Sequence, residues 1–106
     1  MPKSKVKKHE EVQFQVLNLD EAYAYEGTLL LRGDEMVIDI QDSEGTLYLI
    51  VGKPQKHFFE GANSAGPLAP KVRARWTSLG RLCVGYWIED GRDYVFSFEL
   101  PRDSVK

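Results

Sequence analysis

From Lys71 to Leu100 the chain reads KVRARWTSLGRLCVGYWIEDGRDYVFSFEL, and its apolar residues recur at every second position three times over. Val72, Ala74 and Trp76 alternate with Arg73, Arg75 and Thr77; Leu82, Val84, Tyr86 and Ile88 alternate with Cys83, Gly85, Trp87 and Glu89; Tyr94, Phe96, Phe98 and Leu100 alternate with Val95, Ser97 and Glu99. Successive side chains of a strand point to opposite faces, so this period writes three half-buried strands joined by two turns. A two-residue type I′ turn at Asp90-Gly91 sets Tyr86 opposite Val95 and Trp87 opposite Tyr94, which mixes the two faces. A three-residue loop, Glu89-Asp90-Gly91 with Gly91 as a G1 bulge, instead sets Tyr86 against Tyr94, Val84 against Phe96 and Leu82 against Phe98. The expectation is the three-residue loop. The same length at Ser78-Leu79-Gly80 sets Trp76 against Leu82 and Ala74 against Val84.

A second meander spans Tyr23 to Val51. A two-residue loop at Gly33-Asp34 places Leu31 against Met36 and Leu29 against Ile38. A four-residue loop, Asp42-Ser43-Glu44-Gly45, then places Ile40 against Leu47 and Ile38 against Leu49. One apolar face results, running from Tyr23 and Tyr25 through Ile38 and Ile40 to Leu49 and Val51. Leu30, Val37 and Ile50 interrupt the other face, so part of that face is expected to be covered.

The remaining segments fill in around these meanders. Val12, Phe14 and Val16 alternate with Gln13 and Gln15 and read as a first strand. Asn18-Leu19-Asp20-Glu21 has the spacing of a cap for a short helical turn. Gly52-Lys53-Pro54-Gln55 reads as a turn, and Lys56 to Gly61 as a weaker strand. Gly61 to Pro70, rich in small residues, is the one long loop, either a mobile connection or a lid. Residues 1–10 form an expected disordered basic tail containing Lys3, Lys5, Lys7 and Lys8; 11–101 are a single β domain, and 102–106 a second tail.

No helix of three turns is written anywhere, so the fold class is all-β. It is an antiparallel meander of about eight short strands that closes, fully or in part, into a small barrel, with a two-sheet sandwich as the alternative. The 106 residues suffice for one core, and a net charge of −2 argues against a general nucleic-acid or membrane-surface binder. With one cysteine, no internal disulfide and no apolar N-terminal run, the expected location is the cytoplasm.

Two constellations are candidates for function. The presumed interior carries Tyr23, Tyr25, Trp76, Tyr86 and Tyr94, whose polar tips need partners when buried, and a barrel of about eight strands either fills or holds one small ligand. The opposite face of the C-terminal sheet carries Arg73, Arg75 and Trp87, an arrangement fit for a protein partner or a homodimer, or else a solvated face with ion pairs. Catalysis has thinner support. His57 and Glu60 stand three apart, which on a strand sends them to opposite faces, and no metal, phosphate or nucleophile motif is present. No cofactor is implied. By the register above Cys83 lies beside an arginine that would lower its pKa, although a lone strand cysteine more often packs.

The Gly85-Tyr86-Trp87 triplet within a meander of short strands resembles the G-x-W of the lipocalin-type calycins, whose barrels bind small apolar ligands. In that family the motif belongs to the first strand, whereas here it stands on the penultimate one, and no binding residue is carried over from it. The leading expectation is a non-enzymatic barrel holding a small apolar or aromatic ligand inside, with Trp76, Tyr86 and Tyr94 around it and the Gly61 to Pro70 loop at its mouth. An interaction module through the Arg73, Arg75 and Trp87 face comes second. A hydrolase or isomerase using His57 and Glu60 comes third.

Overall fold

The structure, a computed structural model, describes residues 6–102. Eight antiparallel strands follow one another: β1 (Val6–Leu17), β2 (Ala22–Arg32), β3 (Glu35–Gln41), β4 (Leu47–Pro54), β5 (Phe59–Ala62), β6 (Val72–Leu79), β7 (Leu82–Glu89) and β8 (Arg92–Glu99). Each pairs with the next, and β1 returns to β8 with Phe14 opposite Phe98 and Val16 opposite Phe96. The result is a closed barrel rather than a two-sheet sandwich. Closure joins β1 to β8 over Phe14 to Leu17, while the part of β1 before Phe14 pairs with β2 alone.

β1 starts earlier than the sequence pattern implies. Val6, Lys7, Lys8 and His9 pair with residues 29–32 of β2, so part of the expected tail is strand; residues 1–5 and 103–106 lie outside the described residues. The apolar alternation is absent there because the segment lies beyond the core, with Val6 55% exposed. A bulge separates the two parts of β1. Glu10 and Glu11 stand between His9, opposite Leu29, and Val12, opposite Gly27, and Glu11 takes a positive φ of 63°. Such an extra residue bends a strand, as a closing sheet requires.

The hairpin at Gly33-Asp34 has the expected register, with Leu31 opposite Met36 and Leu29 opposite Ile38. The next connection does not. Gln41 pairs with Leu47 and Ile40 with Tyr48, which makes the loop five residues, 42–46, and turns Tyr48 and Ile50 inward in place of Leu47 and Leu49. The Asp42 side chain sets this length: one carboxylate oxygen accepts from the backbone N–H of Glu44 at 2.9 Å and of Thr46 at 2.8 Å. On the outer face Val37 is nevertheless buried, so that face is partly covered as expected. β4 continues to Pro54, and the turn falls at 55–58.

The C-terminal registers also differ from expectation, by one residue between β7 and β8 and by three between β6 and β7. Glu89 pairs with Arg92, Trp87 with Tyr94, Gly85 with Phe96 and Cys83 with Phe98, so Asp90-Gly91 is the two-residue turn. Asp90 and Gly91 have φ of 50° and 85°, the pair of positive values that a type I′ turn demands. Trp76 pairs with Gly85 and Leu79 with Leu82 around a second two-residue turn, Gly80-Arg81. β7 therefore presents Cys83, Gly85 and Trp87 to the core, and Leu82, Tyr86 and Ile88 to the outside. Volume decides this. A Cβ on Gly85 would come within 1.8 Å of the Arg75 carbonyl oxygen, so no larger side chain fits at that point of closest strand approach.

The interior is filled. Trp76, Trp87, Phe14, Phe96, Leu29 and Ile38 are almost wholly buried, and the Trp76 ring meets Phe96 and Phe98 edge-on at 5.8 and 6.0 Å. Trp87→Ala should cost about 3–5 kcal/mol, the range for removing a buried Trp or Phe ring, whereas Tyr86→Ala should change stability by no more than about 0.5 kcal/mol. Urea unfolding of both variants checks this; equal losses would mean that β7 faces the other way.

Candidate functional site

The barrel ends differ in chemistry because the strands bring different residues to them. At one end Phe59 stacks on Trp76 at 6.0 Å, and the indole N–H of Trp76 points at the Met36 sulfur at 3.4 Å. Its ring lies where a Cβ on Gly52 would be, 2.4 Å from two of its carbons, so glycine makes room for it. This end is packed and apolar.

The other end gathers the start of β2, the end of β3, the start of β4, and the β7–β8 turn. Four of the five tyrosines meet there: Tyr23 and Tyr25 from β2, Tyr48 from β4 and Tyr94 from β8. Their rings form a chain. Tyr23 stacks on Tyr25 at 6.1 Å, Tyr25 tilts against Tyr48 at 5.7 Å, Tyr48 lies against Trp87 at 5.3 Å, and Tyr94 meets Tyr23 edge-on at 6.2 Å. The mouth they surround is an open pocket of about 470 Å³.

Two carboxylates anchor the hydroxyls. Glu21 is placed by Asn18, whose side-chain oxygen accepts from the backbone N–H groups of Asp20 and Glu21 at 2.8 Å each, making a capped turn rather than a helical one. The hydroxyls of Tyr23 and Tyr94 both donate to Glu21, the latter at 2.9 Å, and the Arg92 guanidinium donates to it at 3.2 Å. Across the mouth, Glu89 accepts from the Trp87 indole N–H at 2.9 Å and from the Tyr48 hydroxyl at 3.3 Å. Buried hydroxyls and indoles need such partners, and here carboxylates supply them.

The ionisation of the site follows from these contacts. The Tyr23 and Tyr94 hydroxyls, with Arg92 adding to them, hold Glu21 below the ordinary carboxylate range. Conversely the hydrogen bond to Glu21 pushes Tyr23 up to about 12. Burial raises Tyr48 far above an ordinary phenol, with the Glu89 charge adding to it, and burial also raises Tyr94 and Tyr25. The tyrosines at this mouth are thus kept neutral, and Tyr23, Tyr48 and Tyr94 serve as hydrogen-bond donors.

Of the residues singled out in the sequence, the structure brings Tyr23, Tyr25 and Tyr94 together at this mouth and leaves the other two elsewhere. Trp76 is 1% exposed and belongs to the packed end; Tyr86 is 63% exposed and points outward, so neither lines it. Trp87 is fully buried and cannot join Arg73 and Arg75, whose outer-face neighbours across the β6–β7 ladder are Ile88 and Tyr86. Both reversals come from the odd register shifts on the two sides of β7. Glu60 faces out and pairs with Arg75 at 2.9 Å, while His57 sits exposed in the 55–58 turn with no hydrogen bond to it. Burial pushes the Cys83 thiol up to about 11, opposite to the lowering expected from a nearby arginine. Gly61 and Ala62 belong to β5, so the connection to β6 is 63–71 rather than 61–70, and its Pro70 reaches the rim.

Tyr48, Glu21, Glu89 and Arg92 were not legible as site residues. The signals for three of them were present: the Asx oxygen of Asn18 marks Glu21, and the Asp90-Gly91 dipeptide, taken as a two-residue turn, puts Glu89 and Arg92 side by side. Neither protein-family models, nor curated proteins, nor solved structures give a match to this chain.

Stability should fall at both pH extremes for reasons located here. Glu21, with its folded pKa lowered, stabilises the fold above its ordinary value of 4.5, and that contribution is lost as pH falls through the folded value. Tyr23, with its folded pKa raised, stabilises below its ordinary value of 10.0, and that contribution is lost as pH rises towards about 12. Thermal unfolding against pH should show a shallower acid limb in Glu21→Gln and a shallower alkaline limb in Tyr23→Phe. Limbs unchanged in both variants would show that the network does not couple to folding.

Proposed function

We propose that the protein is a non-enzymatic binding barrel that takes a small ligand with an aromatic or apolar body at the mouth ringed by Tyr23, Tyr25, Tyr48 and Tyr94. One observation carries this reading: a pocket of about 470 Å³ stands at one end of an otherwise filled barrel, lined by four tyrosine rings, of which Tyr23, Tyr48 and Tyr94 have their hydroxyls held by carboxylates. Its size falls within the range of small-molecule sites, roughly 300–1,000 Å³. The ligand would sit above the core rather than within it, because Trp76, Trp87 and Phe96 occupy the interior.

A fragment screen read by NMR should shift resonances of these four tyrosines, and Tyr25→Ala should weaken a hit by about tenfold, the loss of one aromatic contact. Hits confined to other surfaces would defeat the proposal.

A second reading rests on the outer face. Tyr86 at 63%, Val95 at 48% and Ile88 at 38% exposure adjoin Arg73 and Arg75, with Tyr86 directly opposite Val95 on the sheet. Self-association through this face would be disrupted by Tyr86→Arg without loss of fold. Sedimentation of the purified protein decides it: a monomer at every concentration removes the second reading.

A further inference from the structure

The charge around the mouth is out of proportion to that of the chain. Five carboxylates, from Glu21, Asp42, Glu44, Glu89 and Asp90, line it against one guanidinium, that of Arg92. This leaves four negative charges there, while the whole chain carries a net charge of only −2. The negative potential is thus gathered where the rings are, and it repels an anion from the same pocket.

The two anchoring carboxylates differ in what they have left to offer. Glu21 is answered by Arg92 and by two phenols. Glu89 is held by the Trp87 N–H and the Tyr48 hydroxyl, both neutral donors, and among the described residues no lysine or arginine pairs with it. It is half-buried, fixed in direction, and beside the rings of Tyr48 and Trp87. A carboxylate in that setting gains from a cation brought into the pocket.

The shape of the lining narrows the kind of cation. Among the described residues no three carboxylate, histidine or cysteine side chains converge tightly enough to hold a metal ion. Carboxylates spread around a rim, with aromatic surface between them, match a charge distributed over a bulky apolar group. Aromatic rings attract such weakly hydrated cations through their negative faces, and that attraction strengthens when water is excluded.

We infer that the ligand of this mouth is an organic cation, an alkylated ammonium or guanidinium group on an apolar body, with Glu89 as its counter-ion and the tyrosine rings as its walls. The inference rests on the proposed small-ligand reading of the same pocket and adds the charge of the ligand to it.

Three probes of similar size separate the possibilities: choline, its uncharged isostere dimethylbutanol, and the anion isovalerate, each titrated into the wild-type protein and followed by tryptophan fluorescence and NMR. Choline should bind at the mouth at least about tenfold more tightly than dimethylbutanol, and isovalerate should not bind. Glu89→Gln, which keeps an oxygen acceptor for the Trp87 N–H, should weaken choline by about tenfold and leave dimethylbutanol unchanged. Rising salt should weaken choline alone, and the exposed-rim variant Glu44→Gln should do so more mildly; these two readouts decide the matter if Glu89→Gln fails to fold. Dimethylbutanol or isovalerate binding at the mouth as tightly as choline overturns the cation inference and leaves the small-ligand reading standing. Silence from all three probes, together with a fragment screen that finds nothing at the mouth, overturns both.

Discussion

An eight-stranded barrel of short strands encloses a volume that a fixed number of side chains will fill, and everything else in this protein answers to that limit. Two tryptophans and three phenylalanines point inward, and the space they need is released by inward residues with little or no side chain. Gly52 lies under the Trp76 ring, Gly85 lies where β6 approaches most closely, and Ala74 is the inward residue opposite Trp87. Large and small residues alternate across facing positions, so the layers interdigitate. With the apolar volume used up over most of the barrel's length, an opening remains only towards the end where polar tyrosines replace phenylalanines.

That end is built from turn chemistry. Asn18 fixes the turn that delivers Glu21, Asp42 fixes the loop that sets the register of Tyr48, and the Asp90-Gly91 turn places Glu89 and Arg92 opposite each other. Each depends on a short polar side chain bonding to nearby backbone, or on a residue that tolerates a positive φ. The carboxylates then hold the phenols of Tyr23, Tyr48 and Tyr94 directed. For the small-ligand binding proposed above, side chains ordered in this way would lower the entropic cost.

In β7 hydrophobicity and volume oppose each other. Leu82, Val84, Tyr86 and Ile88 are together more hydrophobic than Cys83, Gly85 and Trp87, and on transfer energy alone they belong inside. They lie outside, with Tyr86 and Leu82 largely exposed, because the interior beside Trp76 and Phe96 lacks room for four large side chains. Hydrophobicity scales as surface, but a closed core is limited by volume. The same strand parity explains both turns, since odd shifts, by one residue against β8 and by three against β6, turn β7 over and leave the inward faces of β6 and β8 unchanged. The β4 register moved for a different reason, the two hydrogen bonds of Asp42, which hydrophobic alternation does not register.

The sequence by itself determined the all-β class, the eight strands, and the inward faces of β3, β6 and β8 together with the alternating part of β1, because a period of two is a local property of consecutive residues. It also placed Tyr23, Tyr25 and Tyr94 on inward faces. Only the tertiary structure decided that β1 pairs with β8, that Trp87 is core and Tyr86 surface, and that four tyrosines from three strands share one mouth with Glu21 and Glu89. Those facts depend on which side chains compete for the same space and which polar groups meet across the barrel. Such relations exist between residues far apart in the chain, 73 positions for Tyr94 and Glu21, and no local periodicity encodes them.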